Sequence, residues 1–228
     1  MEISIVIPAY NEAESLPLLV KETSDAVARL PVREILVVDD SSNDNTQNVL
    51  NGLAKEYPLL RVLRHTRRSG QSTALWTGVR RARGDLIVTM DGDGQNDPAD
   101  IAQLFAQYEN HANNNPRTLV AGQRRKRHDN TVRRLSSRIA NTVRSAVLQD
   151  GVRDTGCSLK LFRKNDFLDI PFFNHLHRFI PAMMKAQGAQ IVLVDVGHRP
   201  RMRGVSKYGM WDRLWVGIAD LFGVRWLT

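Results

Sequence analysis

The chain has 228 residues, 42% of them hydrophobic and 25% charged, a balance that suits a globular fold with a real core. A net charge of +8 and a pI near 10.0 call for an anionic partner, whether nucleic acid, an acidic membrane surface or a phosphorylated small molecule. The single cysteine, Cys157, excludes an intrachain disulfide framework, the opening Met1-Glu2-Ile3-Ser4-Ile5 lacks the basic start of a signal peptide, and no run of about 20 apolar residues is present to span a bilayer, so a cytoplasmic location is expected.

Ile3 to Ile7 reads as a short buried strand ended by Pro8, followed by a helix from Asn11 with Glu14 in capping-box position and Leu16, Leu19, Val20, Val27 and Leu30 at helical spacing. Ile35-Leu36-Val37-Val38 is a second strand, stopping at Asp39-Asp40, and the helix after it carries Val49, Leu50 and Leu53. Arg61 to Leu63 is a weaker strand, and a helix after Ser69-Gly70 carries Ala74, Leu75 and Val79 and stops at Gly84. Asp85 to Met90 is the next strand, and Asp97-Pro98 predicts the N-cap and first residue of a helix with Ile101, Leu104, Phe105 and Tyr108. Strands at Leu119–Ala121, Leu159–Phe162 and Ile191–Val196 and a helix around Leu176–Gln187 complete the core. Strands alternating with helices of this length predict an α/β fold with a mostly parallel central sheet covered on both faces.

Two segments depart from this pattern. Arg124 to Arg127 is a basic run, and the helix predicted from Asn130 to Gln149 places Arg133, Arg134, Arg138 and Arg144 around an apolar stripe. After Tyr208 the chain reads as an amphipathic helix, with Trp211, Trp215, Ile218 and Phe222 at helical spacing and Arg213 and Arg225 between them. The division expected is therefore a domain over 1–208 and a basic C-terminal extension over 209–228.

The stretch that carries most chemistry is Asp91-Gly92-Asp93-Gly94-Gln95, where an apolar strand stops at two carboxylates and an amide. The carboxyl edge of such a sheet is where ligands bind, and oxygen donors of this kind suit Mg²⁺ or Mn²⁺. Asp39-Asp40 and Pro8-Ala9-Tyr10-Asn11-Glu12 end two further strands. Acidic groups converging on one edge repel unless a cation or nucleotide joins them, though each turn read alone also fits a solvated loop. Tyr10 is suited to stacking on a base, Glu12 to a sugar hydroxyl, and Asp39 to a base or ribose hydroxyl. His175, His177 and His198 lack metal-ligand spacing and read as structural.

Taken together, Ile5-Val6-Ile7-Pro8-Ala9-Tyr10-Asn11-Glu12, Val38-Asp39-Asp40-Ser41-Ser42, Asp91-Gly92-Asp93-Gly94-Gln95, Asp154-Thr155-Gly156-Cys157 and Arg201-Met202-Arg203-Gly204-Val205-Ser206-Lys207 resemble the inverting family 2 glycosyltransferases of GT-A fold, and within them the polyprenyl-phosphate (dolichol-phosphate) hexose synthases. The resemblance implies a nucleotide-diphosphate sugar as donor, held by Pro8, Tyr10, Glu12, Asp39, Asp40 and Gly92. It implies a divalent ion on Asp91, Asp93 and Gln95, with Arg201 and Lys207 on the phosphates. The acceptor implied is polyprenyl phosphate, its phosphate received by Arg124, Arg133, Ser137 and Arg138, with the protein peripheral on an anionic membrane at its cytoplasmic face. Members of that family often add C-terminal transmembrane helices, where this sequence offers the amphipathic stretch after Tyr208, so membrane contact rather than integration is expected. A saccharide hydroxyl acceptor would need a base, for which the Asp150–Asp154 segment offers candidates. Nucleic-acid binding fits the charge, but the acidic strand ends repel a polyanion, and no G-x-G-x-x-G follows the first strand to suggest a dinucleotide oxidoreductase.

Overall fold

The apolar runs become strands because β-branched residues pack well on a pleated surface, and the polar turns between them release the chain into amphipathic helices. The computed structural model describes residues 1–124, 148, 151–152, 154–200 and 220–227. In chain order these form β1 (Ile3–Ala9), α1 (Leu16–Ala26), β2 (Val32–Asp39), α2 (Thr46–Glu56), β3 (Leu60–Arg64), α3 (Gln71–Arg81), β4 (Leu86–Thr89), α4 (Asp100–Ala112), β5 (Thr118–Arg124), β6 (Lys160–Arg163), α5 (Lys164–Leu168), α6 (Ile180–Ala186) and β7 (Gln190–Val196), with a further helix over 220–227.

Among the described residues the strands form one seven-stranded sheet in the order β3-β2-β1-β4-β6-β5-β7. All neighbours run parallel except β6, which is antiparallel to both β4 and β5. Strand alternation then sorts the core. Ile3, Ile5 and Ile7 meet Leu16 and Leu19 of α1, Leu50 of α2 and Ile101 and Leu104 of α4 on one face. Val6, Ile87, Leu119 and Phe162 point to the other face, against α3, α5 and α6. Behind the strands, Glu34 is buried and accepts from Ser4 Oγ (2.8 Å), Arg61 Nε (2.6 Å) and the Arg83 amide (2.6 Å). That network fastens β1, β2, β3 and the end of α3 at the edge opposite the candidate site.

Several local expectations need correction. Asn11 does not start a helix: its backbone is left-handed (φ 55°), its side chain exchanges hydrogen bonds with Asn43, and α1 begins five residues later at Leu16, with Pro17 in its first turn. Asp97 likewise caps a turn, accepting from the Ala99 amide at 3.0 Å, before α4 starts at Asp100. The helix expected around Leu176–Gln187 is a 3₁₀ turn (Leu176–Arg178) followed by α6. In 220–227, Leu221 and Val224 are the buried residues and Phe222 is 68% exposed, so Phe222 lies off the packed face. The predicted basic helix and Trp211, Trp215 and Ile218 lie outside the described residues.

Two glycines in helices predict opposite outcomes for one substitution. Gly52 in α2 is exposed with open space around it, so Gly52→Ala should stabilise by about 0.5–1 kcal/mol. A Cβ on Gly78 in α3 would fall 2.4 Å from Val6 Cγ1, on a stiff side chain of the central strand, so Gly78→Ala should destabilise by roughly 1–3 kcal/mol. Urea midpoints of the two variants check both signs.

Candidate active site

Register places the acidic strand ends. Ala9 pairs with Asp39 across β1 and β2, while Val6 pairs with Thr89 across β1 and β4. The strands that end in Asp39 and in Asp91 are therefore not neighbours, because β1 runs between them. The two acids stand two strand spacings apart across the sheet, about 10 Å. The end of β1, with Pro8, Ala9 and Tyr10, occupies the middle of that edge.

Asp39 is buried; one oxygen accepts from the Ser42 amide (2.9 Å), whereas Oδ2 has no hydrogen-bond partner and faces Arg64 Nε at 3.4 Å. Asp40, its neighbour, accepts from His65 Nδ1 (2.7 Å) and from the amides of Ser69 (2.8 Å) and Gly70 (2.7 Å). Asp40 thus shapes the loop that leads into α3 and sets Arg68 over the Tyr10 ring, 4.2 Å from its centre. Glu12 and Ser15 continue the edge: Ser15 Oγ lies 3.0 Å from Glu12 Oε2 and 2.8 Å from the Gly92 carbonyl oxygen, joining the end of β1 to the Asp91–Asp93 turn.

That turn is tightly built. Gly92 lies where a Cβ would come within 3.1 Å of the Pro8 carbonyl, and Gly94 has φ 75°, a conformation side chains resist. Asp93 Oδ1 accepts from the Gln95 amide (3.1 Å), and Asn96 Oδ1 accepts from both the Asp91 amide (3.2 Å) and Ser158 Oγ (2.7 Å). Asp91 Oδ1 accepts from Gln71 Nε2 (2.8 Å) at the start of α3. Burial, with the Asp93 charge beside it, lifts the Asp91 carboxyl from 3.8 to about 6, although Ser158, Lys160 and Arg124 pull the other way. Two carboxylates crowded into a desolvated turn suit a shared cation. Among the described residues no group of three or more His, Cys, Asp or Glu is arranged to hold a metal, so Asp91 and Asp93 would share an ion with other oxygen donors.

Of the cations proposed for phosphate, Arg124 is engaged within the chain: Nε lies 2.5 Å from Asp154 Oδ2 and the guanidinium reaches Oδ1 at 2.7 Å, a buried bidentate pair. Arg133, Ser137, Arg138, Arg201 and Lys207 lie outside the described residues. Arg199 ties the approach to that last segment onto the metal turn: its amide donates to the Gln95 carbonyl (3.0 Å), and its guanidinium pairs with Glu22 (2.6 Å) and Asp97 (2.9 Å).

Sequence reasoning passed over three side chains at this edge and read a fourth, His177, as structural. Gln71, Lys160, His177 and Arg178 line a cleft of about 200 Å³ that also includes Asp91, Thr155 and Ser158. Burial holds the Lys160 ammonium below the usual lysine range and, with Arg178, Lys160 and His175 adding to it, brings the His177 imidazole down to about 3. His177 lines the cleft while its ring is held by Ser72. The signal for Lys160, a lysine inside an apolar strand run, was present in Leu159-Lys160-Leu161-Phe162, but its direction depended on β6 lying beside β4.

Known proteins resemble this chain in sequence and in fold. The Glycosyl transferase family 2 pattern matches residues 4–170. The chain is 36% identical to the dodecaprenyl-phosphate galacturonate synthase of Rhizobium johnstonii, over 98% of its own length and 66% of that protein. It is 34% identical to the undecaprenyl-phosphate 4-deoxy-4-formamido-L-arabinose transferase of Yersinia enterocolitica, over 92% of its length and 63% of that protein. The chain thus spans just under two thirds of these relatives. The solved glucosyl-3-phosphoglycerate synthase of Mycobacterium tuberculosis with Mg²⁺ and uridine diphosphate superposes with a TM-score of 0.74 at 19% identity, covering 100% of this chain and 80% of that one, and so shares the fold. By its sequence over most of its length, and by the mostly parallel sheet that carries its acidic strand ends, the chain belongs to glycosyl transferase family 2.

Proposed function

We propose that the chain transfers a sugar, with inversion, from a nucleotide-diphosphate sugar to a polyprenyl phosphate. The observation that carries this reading is the spacing along the edge: the strand ends bearing Asp39, whose buried Oδ2 has no hydrogen-bond partner, and Asp91 are two strand spacings apart, about 10 Å, a span suited to a nucleoside at one end and its diphosphate at the other. The relatives named for dodecaprenyl- and undecaprenyl-phosphate supply the acceptor class, and the solved neighbour with Mg²⁺ and uridine diphosphate supports the donor class.

Asp91 and Asp93, with the Gln95 side chain, would hold Mg²⁺ or Mn²⁺, which when bound supplies Lewis-acid stabilisation of the departing diphosphate. The chain's own residues do the rest. Asp39 accepts from a base or ribose hydroxyl, Tyr10 offers a stacking surface, and Gln71 and Asn96 fix the carboxylate turn. In this reading Arg201 and Lys207 add positive charge at the diphosphate. A phosphate monoester is already largely ionised at neutral pH, so no residue needs to act as base. A saccharide acceptor fits less well, because Asp154 in the segment offered as base is held by Arg124 in the buried bidentate pair.

Among the described residues no helix is long and apolar enough to cross a membrane. Contact with the lipid surface instead falls in this reading to the helix at 220–227, which seats Leu221 and Val224 in the core and leaves Phe222 68% and Trp226 85% exposed. The His175 and Asp220 side chains, 2.8 Å apart, anchor that helix to the 3₁₀ turn.

Three outcomes follow. Asp91→Asn should abolish transfer from nucleotide sugar to lipid phosphate while raising the stability of metal-free protein at about pH 7.5. The sign comes from the raised carboxyl: below the ordinary value of 3.8 it is neutral folded and unfolded, and above about 6 the folded state carries the full cost of an ionised, buried group. That cost is on the order of 2 kcal/mol, lost to the metal-free protein as pH rises through this window. Differential scanning fluorimetry with EDTA should show the variant melting higher at about pH 7.5 and level with the parent near pH 4, and Mn²⁺ should no longer stabilise it. Asp39→Asn should weaken nucleotide affinity roughly 10- to 100-fold by calorimetry, the worth of one charge-assisted hydrogen bond. Phe222→Ala with Trp226→Ala should reduce co-sedimentation with anionic liposomes while leaving nucleotide affinity unchanged.

A further inference from the structure

The cleft beside Asp91 runs from Pro8, at the end of β1, to the β6 side of the edge. In the sheet order, Asp39 and Tyr10 stand at the ends of β2 and β1, Asp91 follows β4, and Lys160 opens β6, the next strand over. A donor laid from Asp39 to Asp91 leaves the β6 side open to whatever attacks it. The cleft adjoins Asp91 on the β6 side of that path.

Its chemistry is that of an anion site. Lys160 is 2% exposed yet lines the cleft, with its ammonium donating to the Cys157 carbonyl. Arg178 brings a second cation and Thr155 and Ser158 bring hydroxyls. His177 is fixed by Ser72, whose Oγ lies 2.8 Å from Nδ1 and accepts the His177 amide at 3.4 Å. In the tautomer in which Ser72 donates to Nδ1, the ring hydrogen resides on Nε2. An imidazole held neutral down to about pH 3 is a poor base and serves as a hydrogen-bond donor. The one carboxylate lining the cleft, Asp91, is committed to the metal in the proposed reaction. The net demand is for an anion rich in acceptor oxygens, and 200 Å³ admits a phosphate group.

We infer that Lys160, Arg178 and the Nε2–H of His177 seat the phosphate monoester of the acceptor, a site distinct from Arg124, which is paired with Asp154. The inference rests on the proposed transfer to a lipid phosphate. In the step it serves, a phosphate oxygen forms a bond to the sugar C1 as the bond from C1 to the diphosphate oxygen breaks. The electron pair leaves on the diphosphate, and no proton has to move.

Lys160→Met keeps the length of the buried stem and removes the charge. The expected result is a rise of roughly 10- to 100-fold in the apparent KM for a short-chain polyprenyl phosphate in detergent, with the nucleotide-sugar Kd in Mn²⁺ unchanged by calorimetry. Lys160→Arg should restore most of the affinity. An unchanged acceptor KM, or a loss confined to donor binding or to donors with an acidic sugar, overturns the assignment. If the parent protein transfers nothing to lipid phosphate, the proposed function fails, and the site is judged separately by inorganic phosphate: ³¹P line broadening by the parent that Lys160→Met abolishes upholds it, and identical spectra overturn it. A variant whose melting temperature collapses is replaced by Arg178→Gln, read by the same two measurements.

Discussion

The crowding of Asp91 and Asp93 into one desolvated turn is the interaction on which the rest of this edge depends. Left alone, it costs the folded chain stability, since burial and the neighbouring charge both resist ionisation of Asp91. The surrounding structure is built to hold that cost in place. Gly92 allows the backbone to approach Pro8, Gly94 takes the left-handed turn, Ser15 grips the Gly92 carbonyl, and Gln71 and Asn96 fix the carboxylate and its amide. A turn held under electrostatic strain of this kind would be preorganised for the cation and diphosphate of the proposed reaction.

The same edge separates two kinds of carboxylate. Asp39 has a buried oxygen with no hydrogen-bond partner, whereas Asp40, the next residue, has both oxygens engaged by His65 and the Ser69–Gly70 amides. The first is available to a ligand, and the second builds the loop that places Arg68 on Tyr10 and begins α3. Asp154 shows the same division: paired with Arg124, it joins the segment before β6 to the end of β5. Charge on this edge is thus partly structural, and the count of acids or arginines near the site overstates what is free to meet substrate.

The antiparallel placement of β6 gives the site its second half. By entering the sheet beside β4 in the opposite sense, it brings Lys160 and the Thr155–Ser158 loop against the metal turn. The 3₁₀ turn at Leu176–Arg178 then closes the cleft with a neutral His177 and a charged Arg178. In the proposed reading a diphosphate-binding half and an anion-receiving half would meet at Asp91, an arrangement suited to joining two phosphate-bearing substrates without a general base.

Much of this was determined by the sequence itself. Strand ends are legible locally, because an apolar β-branched run that stops at Asp39-Asp40 or Asp91-Gly92-Asp93 carries its own periodicity and its own turn residues. The α/β class and the location of the acids followed from that alone. Only the tertiary structure decided which acids are taken up in hydrogen bonds, since residues 25 to 30 positions away occupy both oxygens of Asp40 while Asp39 Oδ2 has no hydrogen-bond partner. Only the sheet order put β1 between the two acidic strands, and only the reversed β6 turned a lysine in an apolar run toward the cleft. Propensity and spacing act over a few residues, whereas strand order and the pairing of buried charges depend on contacts between segments far apart in the chain.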